Sequence, residues 1–195
     1  MLTIARLCLQ FGRVPRATFH PDGVQPESDT DHTVMLGILA CALAEQWPHL
    51  HLDRGLLAQM ALVHDLVEAY AGDTNSFAIT ASSKAAKEER EAAALDRIEV
   101  ETRDYPWIAD IIARYERGAV PEARFLRYLD KVTPKLTHAL NGCAALRRMG
   151  KSREEVRAVH DIQIAALAAQ YPEFEATVGA LLIEACRMSE DAYVG

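Results

Sequence analysis

The sequence lacks any run of about 18 uncharged apolar residues, the length that a membrane-spanning helix requires. Its first residues, MLTIARLCLQFGRVPR, carry charges within an apolar stretch that is too short for a secretory signal peptide. Positive charge is also in deficit, with 21 Lys and Arg against 28 Asp and Glu and a net charge of −7. These absences argue against a membrane protein, an exported protein and a protein that binds nucleic acid through bulk charge.

Cysteine is scarce and scattered along the chain. The four thiols lie at Cys8, Cys41, Cys143 and Cys186. No two of them form a C-x-x-C pair, which argues against a zinc-finger or redox motif. Thiols spaced in this way are typical of buried, reduced residues, so we expect a cytoplasmic protein. A small phosphorylated substrate is compatible with the acidic balance, because one or two local cations suffice to bind it.

Alternating β-branched segments are nearly absent, whereas Ala- and Leu-rich segments with a 3.6-residue spacing dominate. We therefore predict an all-α fold, a single-domain helical bundle of about eight helices over residues 1–195. The predicted helices cover about residues 3–11, 30–47, 53–71, 82–103, 106–117 and 121–149; a seventh opens at the capping box Ser152–Glu155, and an eighth covers about residues 172–188. Residues 11–30, which are rich in Pro, Gly and Asp, are predicted to form a loop.

The third predicted helix carries four polar side chains near its end. His64 and Glu68 are spaced i and i+4 and share a helix face, Asp65 lies beside His64, and Asp73 follows Gly72. The residues before them are apolar and indicate a core helix. Burying such groups costs free energy unless they are paired or bind a metal ion, so the pattern indicates a site. A solvated helix end is the alternative interpretation.

Two further candidate ligands lie on other predicted helices. His32 lies on the apolar stripe of the second helix, where a satisfied core histidine is the alternative. Asp130 interrupts an apolar pattern, and Pro134 predicts a kink there because it removes the hydrogen bond to the Asp130 carbonyl. Two imidazoles and two carboxylates suit a divalent transition metal and do not distinguish Co, Mn, Zn, Fe and Ni. Open positions for water or phosphate would make such a centre catalytic.

The order H…HD…D on successive helices resembles the HD-domain metal-dependent phosphohydrolases. Three segments are similar to the HD-domain 5′-nucleotidase subfamily: E-S-x-x-D-H-T at Glu27–Thr33, H-D-x-x-E-x-x-x-G-D at His64–Asp73, and YLDKVTPKL at Tyr128–Leu136. The resemblance covers roughly residues 7–145, whereas the C-terminal helices, about residues 152–188, carry no motif. It implies metal ligation by His32, His64, Asp65 and Asp130, with Glu68 and Asp73 as catalytic residues.

The resemblance also implies one metal ion per chain. HD-family enzymes with two metals carry extra histidines between the HD pair and the last Asp, whereas residues 66–129 contain none. It further implies that Arg13 binds the substrate phosphate, with Arg16 as the weaker candidate. Val14 stands where the bacterial deoxynucleotidases carry a Trp in an Arg-Trp-Pro pattern. This departure predicts weak discrimination against a ribose 2′-hydroxyl, and Phe19, five residues further on, is the alternative residue for contacting the sugar.

We therefore predict a metal-dependent phosphohydrolase acting on phosphoric monoesters, which hydrolyses nucleoside 5′-monophosphates to nucleoside and phosphate. The expected protein is a cytoplasmic homodimer with a small phosphorylated substrate and with neither nucleic acid nor membrane as a partner. Two alternatives stay open: hydrolysis of another phosphoester such as a nucleoside triphosphate, and a non-catalytic HD-fold protein that binds metal or nucleotide for regulation. Glu68 and Asp73 favour catalysis, since neither is needed as a ligand.

The sequence contains a second HD dipeptide, His160–Asp161. It lacks both a Glu three residues after the Asp and a following Gly–Asp. No later helix offers a further Asp, because Asp191 lies in the predicted tail. We therefore predict that this second dipeptide does not bind the metal.

Overall fold

Residues 1–73 and 81–193 are described by the computed structural model, with the side chains of residues 81–84 left out. This part of the chain is helical apart from two short strands, which confirms the predicted all-α class. The strands are β1 (Pro15–Phe19) and β2 (Pro26–Ser28). The helices are α1 (Leu2–Phe11), α2 (Asp29–Gln46), α3 (Arg54–Val63), α4 (Glu68–Ala71), α5 (Ala81–Glu101), α6 (Trp107–Arg117), α7 (Pro121–Leu140), α8 (Ala144–Arg148), α9 (Arg153–Gln170) and α10 (Ala180–Ala192).

The prediction of a loop over residues 11–30 is wrong, because β1 and β2 pair in a two-stranded sheet. The turn between them is closed by the Asp22 carboxylate, which accepts the backbone N–H groups of Val24 and Gln25. Gly23 lies in the turn with φ +67°, a conformation that favours glycine. Strands of five and three residues, each beginning with proline, are too short to show an alternating pattern.

The predicted helix over residues 53–71 is also wrong in one respect, because it is broken in two. Asp53 caps α3 as expected, with its side chain accepting from two backbone N–H groups, and Gly72 ends α4 with φ +74°. Between them, residues 64–67 form a turn in which the Glu68 N–H donates to the Asp65 carbonyl at 2.8 Å. A backbone with such i→i+3 hydrogen bonds winds more tightly than an α-helix. The shared helix face predicted for His64 and Glu68 therefore does not apply.

The predicted helix over residues 121–149 is divided as well. It is interrupted after α7 at Gly142 and Cys143, which both have positive φ, and it resumes as α8. By contrast, α7 continues through Pro134. The Thr133 hydroxyl donates at 3.0 Å to the Asp130 carbonyl, which is the acceptor that the proline leaves without its helical N–H.

The chain divides into two compact units, and neither is continuous in sequence. The first comprises Met1–Arg16 and Ser28–Ala123, and the second comprises Ala17–Glu27 and Arg124–Gly195. The first has its core among α2, α3 and α6, and the second has its core among α7 to α10. Representative buried residues are Leu36, Leu57, Met60 and Ile112 in the first unit, and Phe125, Leu146 and Leu182 in the second. The assignment of residues 1–195 to a single domain stays a prediction.

The burial of the cysteines differs from the expectation at two of the four positions. All four cysteines are free, and Cys143 and Cys186 are buried as expected. The expectation is wrong for Cys8, which is exposed on α1, and Cys41 is half-buried.

Among the helices of the described residues, none has the combination of length and apolar content that crossing a membrane demands.

The second unit contains a buried polar cluster formed by Lys135, His138, His160 and Glu190. Lys135 is only 6% exposed, donates to the side-chain carbonyl of Gln163, and has its pKa lowered by burial to about 8. Burial similarly lowers the pKa of His138 to about 4. The ring of His160, from the second HD dipeptide, lies 2.9 Å from a Glu190 carboxylate oxygen. His160 thus has a structural partner within its own unit.

Replacing Lys135 by Met is expected to stabilise the protein at pH 7 by about 2 kcal/mol. The folded-state pKa of about 8 lies below the ordinary value of 10.5, so the unfolded state binds the proton more tightly. The full cost of burial is therefore present below pH 8 and is relieved as the pH rises from about 8 to about 10.5. Loss of the Gln163 hydrogen bond offsets about 1 kcal/mol of the gain.

Denaturant unfolding of both proteins at several pH values between 6 and 10 measures this effect. The difference in the free energy of unfolding should shrink towards the alkaline end. Lys151→Met serves as the control, since that lysine makes only a surface pair with Glu155 at 3.5 Å. A difference that does not change with pH would show that the lysine charge is not its cause.

Candidate metal centre

His32 is positioned by the start of α2. The helix begins one residue earlier than predicted, at Asp29, because Ser28 caps it. In this capping box the Ser28 hydroxyl accepts the Asp31 N–H at 3.2 Å, and the Asp31 carboxylate accepts the Ser28 N–H at 2.9 Å. His32 therefore lies in the first turn and is 1% exposed. Its ring centroid is 5.6 Å from that of His64.

His64 follows the last residue of α3, and its ring orientation is set by a backbone group. Its Nδ1 lies 2.8 Å from the Ala61 carbonyl oxygen, which can only accept, so Nδ1 carries the proton. The lone pair of the neutral ring is then on Nε2, which lies 3.1 Å from Asp65 Oδ2. A bare imidazole nitrogen and a carboxylate oxygen repel each other at this distance unless a cation lies between them. A backbone carbonyl on the second ring nitrogen is typical of a metal-ligating histidine.

Three of the four residues predicted as ligands lie together in the first unit. One donor atom from each of His32, His64 and Asp65 lies within 4.8 Å of the others, whereas Asp130 lies on α7 in the second unit, and its ligation stays a prediction. The two histidines are buried and the two aspartates half-buried, and Asp130 also accepts from Lys131 at 2.7 Å. Two nitrogen and two oxygen donors form a set that divalent transition metals accept.

Carboxyl groups beside this set leave the site short of positive charge. Glu68 is 5% exposed, and its Oε2 has no hydrogen-bond partner in the described part of the chain. Burial, and then the negative charges of Asp65, Asp29 and Asp73, raise the pKa of Glu68 to about 10. Lys87 Nζ, from α5, lies 3.9 Å from Glu68 Oε1. A bound divalent cation would neutralise much of this negative charge, so the residues present fit a metal.

Three residues near the ligands were missed or ranked low by the sequence analysis. Asp29 is fully buried, and burial raises its pKa to about 6. Arg16 Nη1 lies 3.0 Å from Asp29 Oδ1 and 3.2 Å from Asp65 Oδ2. An Asp at the start of a helix is usual on helix-dipole grounds, so Asp29 gives no distinct signal in the sequence. Lys87 lies within a highly charged helix pattern and is equally inconspicuous there.

The remaining predicted substrate residues lie in and after the turn that follows α1. Arg13 is exposed, and no contact within the described residues ties its side chain to the ligand set. Its phosphate-binding role stays a prediction. Val14 is buried, and its carbonyl accepts the Asp29 N–H at 3.1 Å. The ring of Phe19, an alternative residue for contacting a sugar, lies under the Arg148 guanidinium at 4.2 Å.

Comparison with known proteins gives a family match over most of the chain. Residues 10–171 match the HD domain family. This range contains all four candidate ligands together with Glu68 and Asp73.

Curated relatives are 28–30% identical to this chain over the aligned residues. The 5′-deoxynucleotidase HDDC2 of Bos taurus is 28% identical over 137 residues, covering 67% of this chain and 62% of its own length. HDDC2 of Danio rerio is 30% identical over 135 residues, covering 68% of this chain and 64% of its own length. The 5′-deoxynucleotidase hdd1 of Schizosaccharomyces pombe is 30% identical over 127 residues, covering 60% of each chain. The chain thus spans less than two thirds of the length of these relatives.

Solved structures extend the similarity to nearly the whole chain. A predicted metal-dependent phosphohydrolase from Magnetospirillum magnetotacticum superposes with a TM-score of 0.73 at 26% identity, covering 97% of this chain and 95% of its own. The PH0347 protein from Pyrococcus horikoshii superposes with a TM-score of 0.61 at 25% identity, covering 93% of this chain and 99% of its own.

Proposed function

Because this chain belongs to the HD domain family, we propose that it is a metal-dependent phosphohydrolase that acts on nucleoside 5′-monophosphates. The observation that carries the proposal is the gathering of His32, His64 and Asp65 within 4.8 Å in the first unit, beside carboxyl groups that are not needed as ligands. The names of the curated relatives, which are 5′-deoxynucleotidases, support the substrate class. The cytoplasmic location and the homodimer stay predictions.

His32, His64, Asp65 and Asp130 would hold one divalent transition metal ion. When bound, such an ion supplies Lewis acidity to a phosphoryl oxygen and lowers the pKa of water. The chain's own contribution is to keep the ligands in place before binding. The Ala61 carbonyl holds His64 with Nε2 directed at Asp65, and the Ser28 cap fixes the turn that carries His32.

Glu68 and Asp73 would move the protons of the reaction. One carboxylate accepts a proton from the attacking water, and the other carboxyl group donates one to the leaving nucleoside oxygen. Glu68 starts α4 and Asp73 follows the same helix, so a single short element positions both. Lys87, at 3.9 Å from Glu68, places a positive charge beside this pair. Arg13 would bind the phosphate from the turn after α1.

A hydrolysis screen tests the proposal. The protein is stripped with a chelator, reloaded separately with Mn²⁺, Co²⁺, Ni²⁺, Fe²⁺ and Zn²⁺, and assayed on nucleoside mono-, di- and triphosphates by phosphate release. We expect activity on monophosphates that disappears with the chelator and returns with at least one metal. Preference for triphosphates would select the alternative phosphoester activity. Metal binding with no turnover of any substrate would indicate a regulatory protein.

Ribo- and deoxyribonucleotides are expected to differ little as substrates. Val14 is smaller than the tryptophan of the bacterial deoxynucleotidases and is buried, and Phe19 packs against Arg148. An apolar pocket without a steric wall rejects an added hydroxyl by about 10²-fold at best. Steady-state kinetics on AMP and dAMP should therefore give kcat/KM values within about 10²-fold of each other. A larger preference for dAMP would reveal a wall, and Phe19→Ala would then test whether that ring forms it.

A further inference from the structure

We infer that Arg16 is a positioning residue for the metal centre, holding the carboxylate of Asp65 in place, and that buried Asp29 fixes Arg16 in turn. This inference rests on the proposed metal-dependent function. It assigns Arg16 a role different from the weaker phosphate-binding role predicted from the sequence. The three residues lie on β1, at the start of α2 and in the turn between α3 and α4.

The contacts form a series that ends at a candidate ligand. Arg16 Nη1 lies 3.0 Å from Asp29 Oδ1 and 3.2 Å from Asp65 Oδ2. The same Oδ2 atom lies 3.1 Å from His64 Nε2. A carboxylate oxygen has two lone pairs, so it can accept a guanidinium N–H with one and face a metal with the other. The Arg16 hydrogen bond therefore selects the rotation of the Asp65 side chain that faces His64.

Burial makes this series of contacts rigid. The side chain of Arg16 is 14% exposed and that of Asp29 is not exposed at all. A buried carboxylate needs a compensating charge, and the charge-assisted bond to Arg16 supplies it. Asp29 belongs to the same first turn of α2 as His32. Arg16 thus connects the turn that carries one candidate ligand with the turn that carries two others.

Charge and position can be separated by the choice of variants. Arg16→Lys keeps the positive charge and loses the planar guanidinium that bridges two carboxylates. The double variant Arg16→Met/Asp29→Asn removes one positive and one negative charge, so the net charge near the site is unchanged. If Arg16 acts by position, both variants weaken metal binding. Arg54→Met is the matched control, because that arginine makes an exposed pair with Glu45 in the same unit.

The experiment measures the Kd for Co²⁺ on the apoprotein of the 195-residue chain by competition with a chromogenic chelator. We expect Kd to rise by about 10- to 100-fold in Arg16→Lys and in the double variant, as for other residues that orient metal ligands. The visible absorption of bound Co²⁺ should also change, since it reports ligand geometry. The Arg54→Met control should retain the Kd of the unsubstituted protein. Circular dichroism and thermal unfolding establish that each apoprotein is folded.

Two results would overturn the inference. One is an unchanged Kd and an unchanged Co²⁺ spectrum in a folded Arg16→Lys protein. The other is an unchanged Kd with a raised KM or weaker inhibition by inorganic phosphate, which would make Arg16 a phosphate-binding residue. Because Co²⁺ binding is measured without substrate, it is independent of the proposed activity. Absent turnover with altered Co²⁺ binding would reject the proposed function and leave the role of Arg16 intact.

Discussion

The Asp65→Ala protein is expected to be isolated without its metal ion and without measurable phosphohydrolase activity. The substitution removes one of four candidate donors and leaves the Arg16 charge beside the site without the Asp65 carboxylate. A metal centre contributes several kcal/mol of transition-state stabilisation, so kcat/KM should fall by at least about 10³-fold. Elemental analysis of the purified protein measures the metal, and phosphate release from nucleoside monophosphates measures the activity.

Asp96→Ala is the control for the loss of a carboxylate. Asp96 is an exposed residue of α5 within the same unit, so its replacement should leave metal content and activity unchanged. A stoichiometric metal ion in a folded Asp65→Ala protein would contradict the assignment of Asp65 as a ligand.

The Glu68→Ala protein is expected to keep its metal ion while its kcat falls by about 10²- to 10⁴-fold, the usual contribution of a general acid or base. Asp73→Ala should behave in the same way, with a loss of at least about 10²-fold. Neither residue belongs to the four-donor set. Since Glu68 is buried at an energetic cost, its replacement should not unfold the protein.

Metal content and pH profiles separate the roles of these two residues. Each variant should lose one limb of the bell-shaped dependence of kcat on pH. Loss of the acidic limb identifies the residue that accepts the proton of water, and loss of the alkaline limb identifies the proton donor. A Glu68→Ala protein as empty of metal as Asp65→Ala would show instead that Glu68 is a ligand.

The candidate ligands could be predicted because their signal is local. His64 and Asp65 are adjacent, His32 lies on an apolar stripe, and Asp130 interrupts one. The helix break over residues 64–67 could not be predicted in this way, because four residues with i→i+3 bonds do not disturb a helical pattern of apolar positions. The structure alone revealed that a turn, rather than a continuous helix, presents His64 and Asp65.

The residues around the ligands depend on contacts between distant parts of the chain. Arg16 is 13 residues from Asp29 and 49 residues from Asp65. No periodicity links such positions, so the spacing around Arg13 and Arg16 could not show which arginine meets the carboxylates. The exposed Cys8 illustrates the same limit, because composition predicts the usual burial of a residue type and not the face on which one member lies.

The interleaved order of the two units also has a consequence for biosynthesis. Residues 17–27 leave the ribosome early but belong to the second unit, whose remaining residues begin at Arg124. The Phe19 carbonyl accepts from Asn141 and the Gly23 carbonyl accepts from Arg148, which are partners 122 and 125 positions later in translation. The first unit can begin to fold before this segment has anything to bind. Neither unit can therefore be obtained as one continuous fragment of the chain, and a nascent chain halted near residue 123 would carry an unpartnered segment.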